Sequence, residues 1–174
     1  MRDGRAAKSC RAKGDRGGWP SKASPVLVVL CGPSHSGKST FARRFCRGCT
    51  VTSSDRIRKR RGTVFGRCQE ERVVWEAFES EKRKALREGR NVVLDACHMS
   101  RNARRHALQG PNACHKKVCV VFDVPLSAIR ERCVQARRLS VNEAERMWKA
   151  FQGCKPTTRE LEREGFEEVY LCVG

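Results

Sequence analysis

The sequence has no long apolar run. Its longest, Val26–Cys31, falls far short of the ~20 residues that a membrane-crossing helix needs. Residues 1–24 lack the apolar h-region of a secretory signal. They include Asp3 and Asp15 and show no amphipathic pattern, so nothing supports a mitochondrial presequence. The expected location is therefore intracellular, cytoplasmic or nuclear, with no membrane contact and no secretion. Internal repeats are absent as well. Acidic residues are scarce: 19 Asp and Glu stand against 37 Lys and Arg, a net charge of +18. One bound nucleotide does not require so much positive charge, and the excess points to a polyanionic partner, most simply nucleic acid. Residues 1–24 hold a net +5 of it, which leaves +13 on the rest of the chain.

The eleven cysteines lack the pairing of a zinc module. Cys46-Arg47-Gly48-Cys49 is a C-x-x-C with no second pair, and Ala-Cys-His occurs twice, at Ala96–His98 and Ala113–His115. Structural zinc sites show paired knuckles, so a zinc site is the weaker reading. Without a secretion signal, reduced thiols are expected, with Cys31, Cys119 and Cys172 as small core residues in apolar runs.

What the chain does have is Gly32-Pro33-Ser34-His35-Ser36-Gly37-Lys38-Ser39-Thr40, which fills the G-x-x-x-x-G-K-S/T template of a P-loop. An apolar strand precedes it and a helix-compatible segment, Ser39–Cys46, comes after it. The two glycines allow a tight turn, and the loop amides and helix N-terminus then face phosphate oxygens. Lys38 brings a point charge to the β and γ phosphates of a nucleotide, and the Ser39 hydroxyl suits Mg²⁺. ATP and Mg²⁺ are the expected ligands, with the whole segment Gly32–Thr40 as nucleotide-binding residues.

Strands are expected at Val26–Cys31, Cys49–Thr52, Asn91–Asp95, Lys117–Phe122 and Glu168–Val173. Helices are expected after the P-loop and over Gln69–Glu88, Ser100–Leu108 and Pro125–Arg137. A last one runs from the capping box Ser140-x-x-Glu143 to about Phe151, broken at Gly153–Thr158. Strands alternating with helices after a P-loop imply a three-layer α/β/α fold, with a mostly parallel five-stranded sheet and a helical lid. Residues 1–24 read as a basic flexible arm and 25–174 as one P-loop domain.

Three further groups carry chemistry. Val92-Val93-Leu94-Asp95 has the form of a Walker B strand, its carboxylate a candidate Mg²⁺ ligand; the alternative is an Asp capping the next loop. Asp55 leaves the second strand at the sheet edge that holds the P-loop, where a general base for an accepting hydroxyl belongs. Arg56 and Arg58 flank it with forks suited to an anionic acceptor, and a solvated basic loop is the plainer alternative. Arg132, Arg137 and Arg138 lie between two expected helices, where a closing hairpin supplies arginine to the β and γ phosphates; ordinary helix-surface charge is the other reading.

With these residues in place, the chain resembles the kinase domain of polynucleotide 5′-hydroxyl kinases, within the AAA-type P-loop phosphotransferases. The likeness rests on Gly32–Thr40, on Ser53-Ser54-Asp55-Arg56-Ile57-Arg58, and on Val92–His98 with Arg101–Arg105 beyond it. Phe122-Asp123-Val124-Pro125-Leu126 with its Arg-rich helix, and Arg163-Glu164-Gly165-Phe166-Glu167-Glu168-Val169, complete it. The resemblance implies transfer of the ATP γ-phosphate to 5′-OH ends of DNA or RNA. It implies that Asp55 is the base, Arg58 the clamp on the acceptor's next phosphate, and Lys38 and Ser39 the donor-side ligands. The lid arginine is then Arg137 or Arg138, with Arg132 as a second. Phosphatase and ligase domains often share a chain with such kinases, so the resemblance implies either a stand-alone kinase or one that acts with separate partners of those kinds. Asp95-Ala96-Cys97-His98 departs from the family, which places other polar residues after the aspartate. The rivals are a small-molecule kinase of the same fold and a nucleic-acid-binding NTPase without transfer activity.

Overall fold

The computed structural model describes residues 8–9, 24–62, 68–136 and 139–173. In chain order these form β1 (Lys8–Ser9), β2 (Val26–Cys31), α1 (Lys38–Phe45), β3 (Thr50–Ser53) and α2 (Ser54–Arg61). Next come α3 (Cys68–Arg87), β4 (Val92–Asp95), α4 (Arg101–Ala107), β5 (Lys116–Asp123), α5 (Leu126–Ala136), α6 (Val141–Cys154), α7 (Thr158–Glu164) and β6 (Glu168–Val173).

The described strands are all parallel, in the spatial order β1-β6-β5-β2-β4-β3. The five expected strands are present, and the two-residue β1 adds an edge to them beside Tyr170 and Leu171. The rest of the expected basic arm, apart from Ser24, lies outside the described residues. The P-loop strand β2 is central and buried along its whole length, as an unbroken apolar run demands of a parallel strand covered on both faces.

Alternation along β2 divides the core. Leu27, Val29 and Cys31 face a cluster built with Ile57 of α2, Val74 and Phe78 of α3, Ala107 of α4 and Leu161 of α7. Val26, Val28 and Leu30 face Ala42 and Cys46 at the other side, under α1. Those are the three layers. A third, smaller cluster joins α5 to α6 through Ile129, Cys133 and Ala144, with Trp148 donating its indole N–H to the Val124 carbonyl at 2.9 Å. This hairpin is the expected helical lid.

Two segments differ from the plainer reading of the sequence. The basic run after β3, for which a solvated loop was the alternative, is the helix α2. Ser53 caps it by accepting from the Arg56 amide, Asp55 sits in its first turn, and Arg58–Arg61 close its last turn, an order that suits the helix dipole. The segment after Gly153 also holds a helix where only a break was expected. The helix α6 continues through Gly153 to Cys154, and α7 comes next with its own capping box, Thr157 and Glu160. The signal was in the sequence as Thr157-x-x-Glu160.

Candidate active site at the carboxyl edge of the sheet

The P-loop closes on itself and on its neighbours. Gly32 has φ 154°, and a Cβ there would stand 3.0 Å from the Phe122 Cβ and 3.1 Å from its carbonyl oxygen, so only glycine fits. The Gly32 amide donates to the Cys97 carbonyl at 2.9 Å, which ties the loop to the segment leaving β4. Gly37, at φ 100°, opens α1 in a left-handed turn. Lys38 is buried, and its ammonium donates to the Gly32 and Pro33 carbonyls at 3.0 and 2.5 Å and to Ser36 Oγ at 3.4 Å. Those bonds curl the side chain back over the loop. Ser39 and Thr40 are exposed at the start of α1.

His98 and Cys97, the departures from the family pattern, brace this loop from below. His98 is buried, its Nδ1 lies 3.0 Å from the Leu30 carbonyl, and its own carbonyl accepts from Cys31 Sγ at 3.3 Å. Burial pushes its pKa down to about 4, with the Lys38 charge acting in the same direction against a backbone hydrogen bond, so the ring is neutral at pH 7. Cys97 Sγ lies 3.8 Å from Ser34 Oγ.

The register of β3 on β4 pairs Ser53 with Asp95. Alternation puts Asp95 on the face of Val93, the face that α1 covers and from which Ser39 starts. Asp95 is buried. A carboxylate and a hydroxyl on one face are hard oxygen donors of the kind Mg²⁺ takes with nucleotide phosphates. Among the described residues no cluster of three or more His, Cys, Asp and Glu is placed to hold a metal ion by itself. Cys46 and Cys49 are free thiols hydrogen-bonded to each other; that bond raises the pKa of Cys46 and lowers that of Cys49.

Two residues beyond Ser53, the carboxylate of Asp55 stands 45% exposed at the edge. Its Oδ1 accepts from Arg58 Nη1 at 3.0 Å. Arg58 is buried and more heavily engaged than its sequence position implied. Its Nε and Nη2 grip both oxygens of Glu71, at 2.7 and 2.8 Å, and its guanidinium lies 6.0 Å from the ring centre of Trp75. The Glu71 hydrogen bonds hold the Arg58 pKa above its ordinary value. Glu71 and Trp75, one helical turn apart on α3, were not among the expected site residues; nothing in the sequence ties them to Arg58, which precedes Glu71 by 13 residues. Arg56 is exposed and bonds the Val51 carbonyl. On the lid, Arg132 Nη1 donates to the His35 carbonyl at 3.3 Å and lies against Gly37. Arg137 and Arg138 lie outside the described residues.

The structure therefore brings Gly32–Thr40, Asp95, Asp55, Arg58 and Arg132 to one edge. A family model described as an AAA domain, AAA_33, matches residues 27–152, a span that holds all of them. The chain belongs to this AAA-domain family. Its fold is that of P-loop kinases. Among solved structures, one titled as the Pnkp1/Rnl/Hen1 RNA repair complex matches with TM-score 0.66 and 23% identity, covering 83% of this chain and 48% of that one. A second structure of the Pnkp1/Rnl/Hen1 complex matches with TM-score 0.53 and 27% identity, covering 66% and 40%. Shikimate kinase from Acinetobacter baumannii, in complex with shikimate, matches with TM-score 0.50 and 18% identity, covering 83% and 82%. The chain thus spans about half or less of the two RNA-repair-complex chains. No curated protein matches it.

The family model stops at residue 152, yet α7, beyond that boundary, is tied to the segment that follows β4. Arg104 and Glu164 form a bidentate pair at 2.8 and 2.8 Å with side chains only 4% and 2% exposed, joining α4 to α7. Arg104 also donates to the Met99 carbonyl at 2.6 Å, just past His98. Gly165 caps α7 at φ 105°, and Phe166 enters the core. No helix of the described residues is long and apolar enough to cross a membrane.

Proposed function

We propose that this P-loop kinase transfers the γ-phosphate of ATP to 5′-OH ends of DNA or RNA. The observation that carries the reading is the hydrogen-bonded pair Asp55–Arg58 on the helix that leaves β3, at the same sheet edge as the P-loop. Asp55, half-exposed, accepts the proton of the attacking hydroxyl and aligns it. Arg58 presents a cation beside that hydroxyl, where the acceptor's next phosphate would lie; Arg56 adds a second guanidinium on the exposed side. On the donor side the P-loop amides and Lys38 hold the phosphates, and Arg132 approaches them from the lid, with Arg137 and Arg138 next in sequence beyond α5. Ser39 and Asp95 would hold Mg²⁺, which when bound neutralises charge on the phosphates. The net charge of +18 and the likeness to the RNA-repair-complex structures favour a polynucleotide acceptor. Separate phosphatase or ligase partners fit the same reading.

A small-molecule acceptor is the second reading. It is favoured by the engagement of Arg58 with Glu71 and by the coverage of shikimate kinase, which extends over most of both chains. Incubation with γ-labelled ATP and a panel of 5′-OH oligonucleotides, 5′-phosphate controls, nucleosides and hydroxy acids separates the two. Label confined to 5′-OH oligonucleotides is the expected result. Label on the small acceptors, or on none, overturns it.

A further inference from the structure

The site has an aromatic neighbour to which the phosphotransfer chemistry gives no task. Trp75 is one of the few large apolar side chains left open among the described residues, 41% exposed. It sits on α3 one turn after Glu71, so Arg58 lies across both: its fork on the carboxylate, its guanidinium beside the indole. Phe78 also packs against it, with ring centres 5.3 Å apart and planes at 64°. The indole is steadied by a cation and a buried ring, and its remaining surface is in solvent. The last turn of α2 follows Arg58, with Lys59, Arg60 and Arg61 all exposed. Arg60 reaches across to Glu81 of α3, so the two helices are joined there as well. The helix rises about 1.5 Å per residue, so Asp55 to Arg61 spans on the order of 9 Å, close to two or three stacked nucleotides at about 3.4 Å each.

We propose that Trp75 is a stacking platform for a nucleobase close to the 5′ end of the acceptor strand, with the exposed basic last turn of α2 meeting the next phosphates. This rests on the polynucleotide-kinase reading above. An aromatic ring beside a basic track is how single strands are held without sequence preference, because every base has a π face. A rigid ring fixed next to the acceptor arginine thereby distinguishes a nucleotide end from a small hydroxy compound, which has no base to stack. Phe45, another open aromatic with an arginine near it, sits at the far end of α1, away from the P-loop, and lacks this juxtaposition.

The test compares a 5′-OH oligonucleotide with one whose two 5′-terminal nucleotides are abasic. Stacking contributes about 1–3 kcal/mol per base, so the intact strand should be preferred by about 5- to 150-fold in kcat/KM. Trp75→Ala should lose that factor on the intact strand and show no further loss on the abasic one; Trp75→Phe should keep most of the preference. If Trp75→Ala fails to fold, Trp75→Leu keeps apolar bulk over Phe78 without the extended ring and carries the same comparison. A variant lacking the ring that still prefers the intact strand overturns the proposal, as does wild-type protein that labels both strands equally. Wild-type protein that labels neither strand overturns the polynucleotide reading, and the stacking role with it.

Discussion

Arg58 holds Glu71 with two parallel hydrogen bonds, at 2.7 and 2.8 Å, and directs its remaining nitrogen to Asp55 at 3.0 Å. One guanidinium thereby fixes α2 to α3 and sets the carboxylate proposed as the base. A fork on a carboxylate is geometrically specific, and its partial burial makes the loss of one partner costly. Changing Glu71 to Gln leaves Arg58 with a neutral acceptor. The expected result is a loss of about 1–3 kcal/mol in urea unfolding, with a larger fall in kcat/KM than in ATP affinity, because Asp55 loses its fixed neighbour.

Asp55 itself has no structural burden comparable to that of Arg58. Substitution to Ala should lower phosphoryl transfer by about 10²- to 10⁴-fold, the usual contribution of a positioned base. ATP binding, measured by equilibrium titration, should change little, since the P-loop contacts do not pass through Asp55. Normal turnover by the variant would exclude Asp55 as the base.

The buried Arg104–Glu164 pair makes a prediction about stability alone. Glu164→Ala strands a guanidinium that is nearly inaccessible to water, and should cost about 3–5 kcal/mol by denaturant unfolding. Replacing both partners with apolar residues of similar size should recover most of that. Full stability in the single variant would mean that water or another group reaches Arg104.

His98 supplies a pH dependence. Its folded-state pKa is about 4, against about 6.5 when unfolded, so the unfolded chain binds the extra proton between those values. Stability should therefore fall as pH drops from about 6.5 towards 4, by about 2–4 kcal/mol, and this contribution should level off below. Urea titrations of wild type and His98→Asn across that window check the sign: the variant should lose this part of the slope.

What could be read in advance depended on the range of the interactions involved. The P-loop, the five strands and the capped starts of α4 and α6 are local patterns, and the apolar runs and turn residues specify them directly. The helix α2 was hidden because Asp55 to Arg61 carries almost no apolar periodicity; it is helical through its Ser53 cap and its charge order. The short α7 was hidden behind Gly153 and Pro156, which read as a single break. The role of the Glu164-Gly165-Phe166 motif could be quoted but not explained until Arg104, 60 residues earlier, was found against it.

Spacing along the chain was enough to specify the phosphate-binding loop, the parallel sheet and the placing of Asp95 at the end of β4 and of Asp55 just past β3. It was not enough to say what those groups touch, which depends on the folded arrangement. Glu71 and Trp75 meet Arg58 because α3 packs against α2, and His98 supports Leu30 because β4 lies beside β2. Such contacts arise where separate elements dock, and docking is set by the packing of the core as a whole rather than by any one segment.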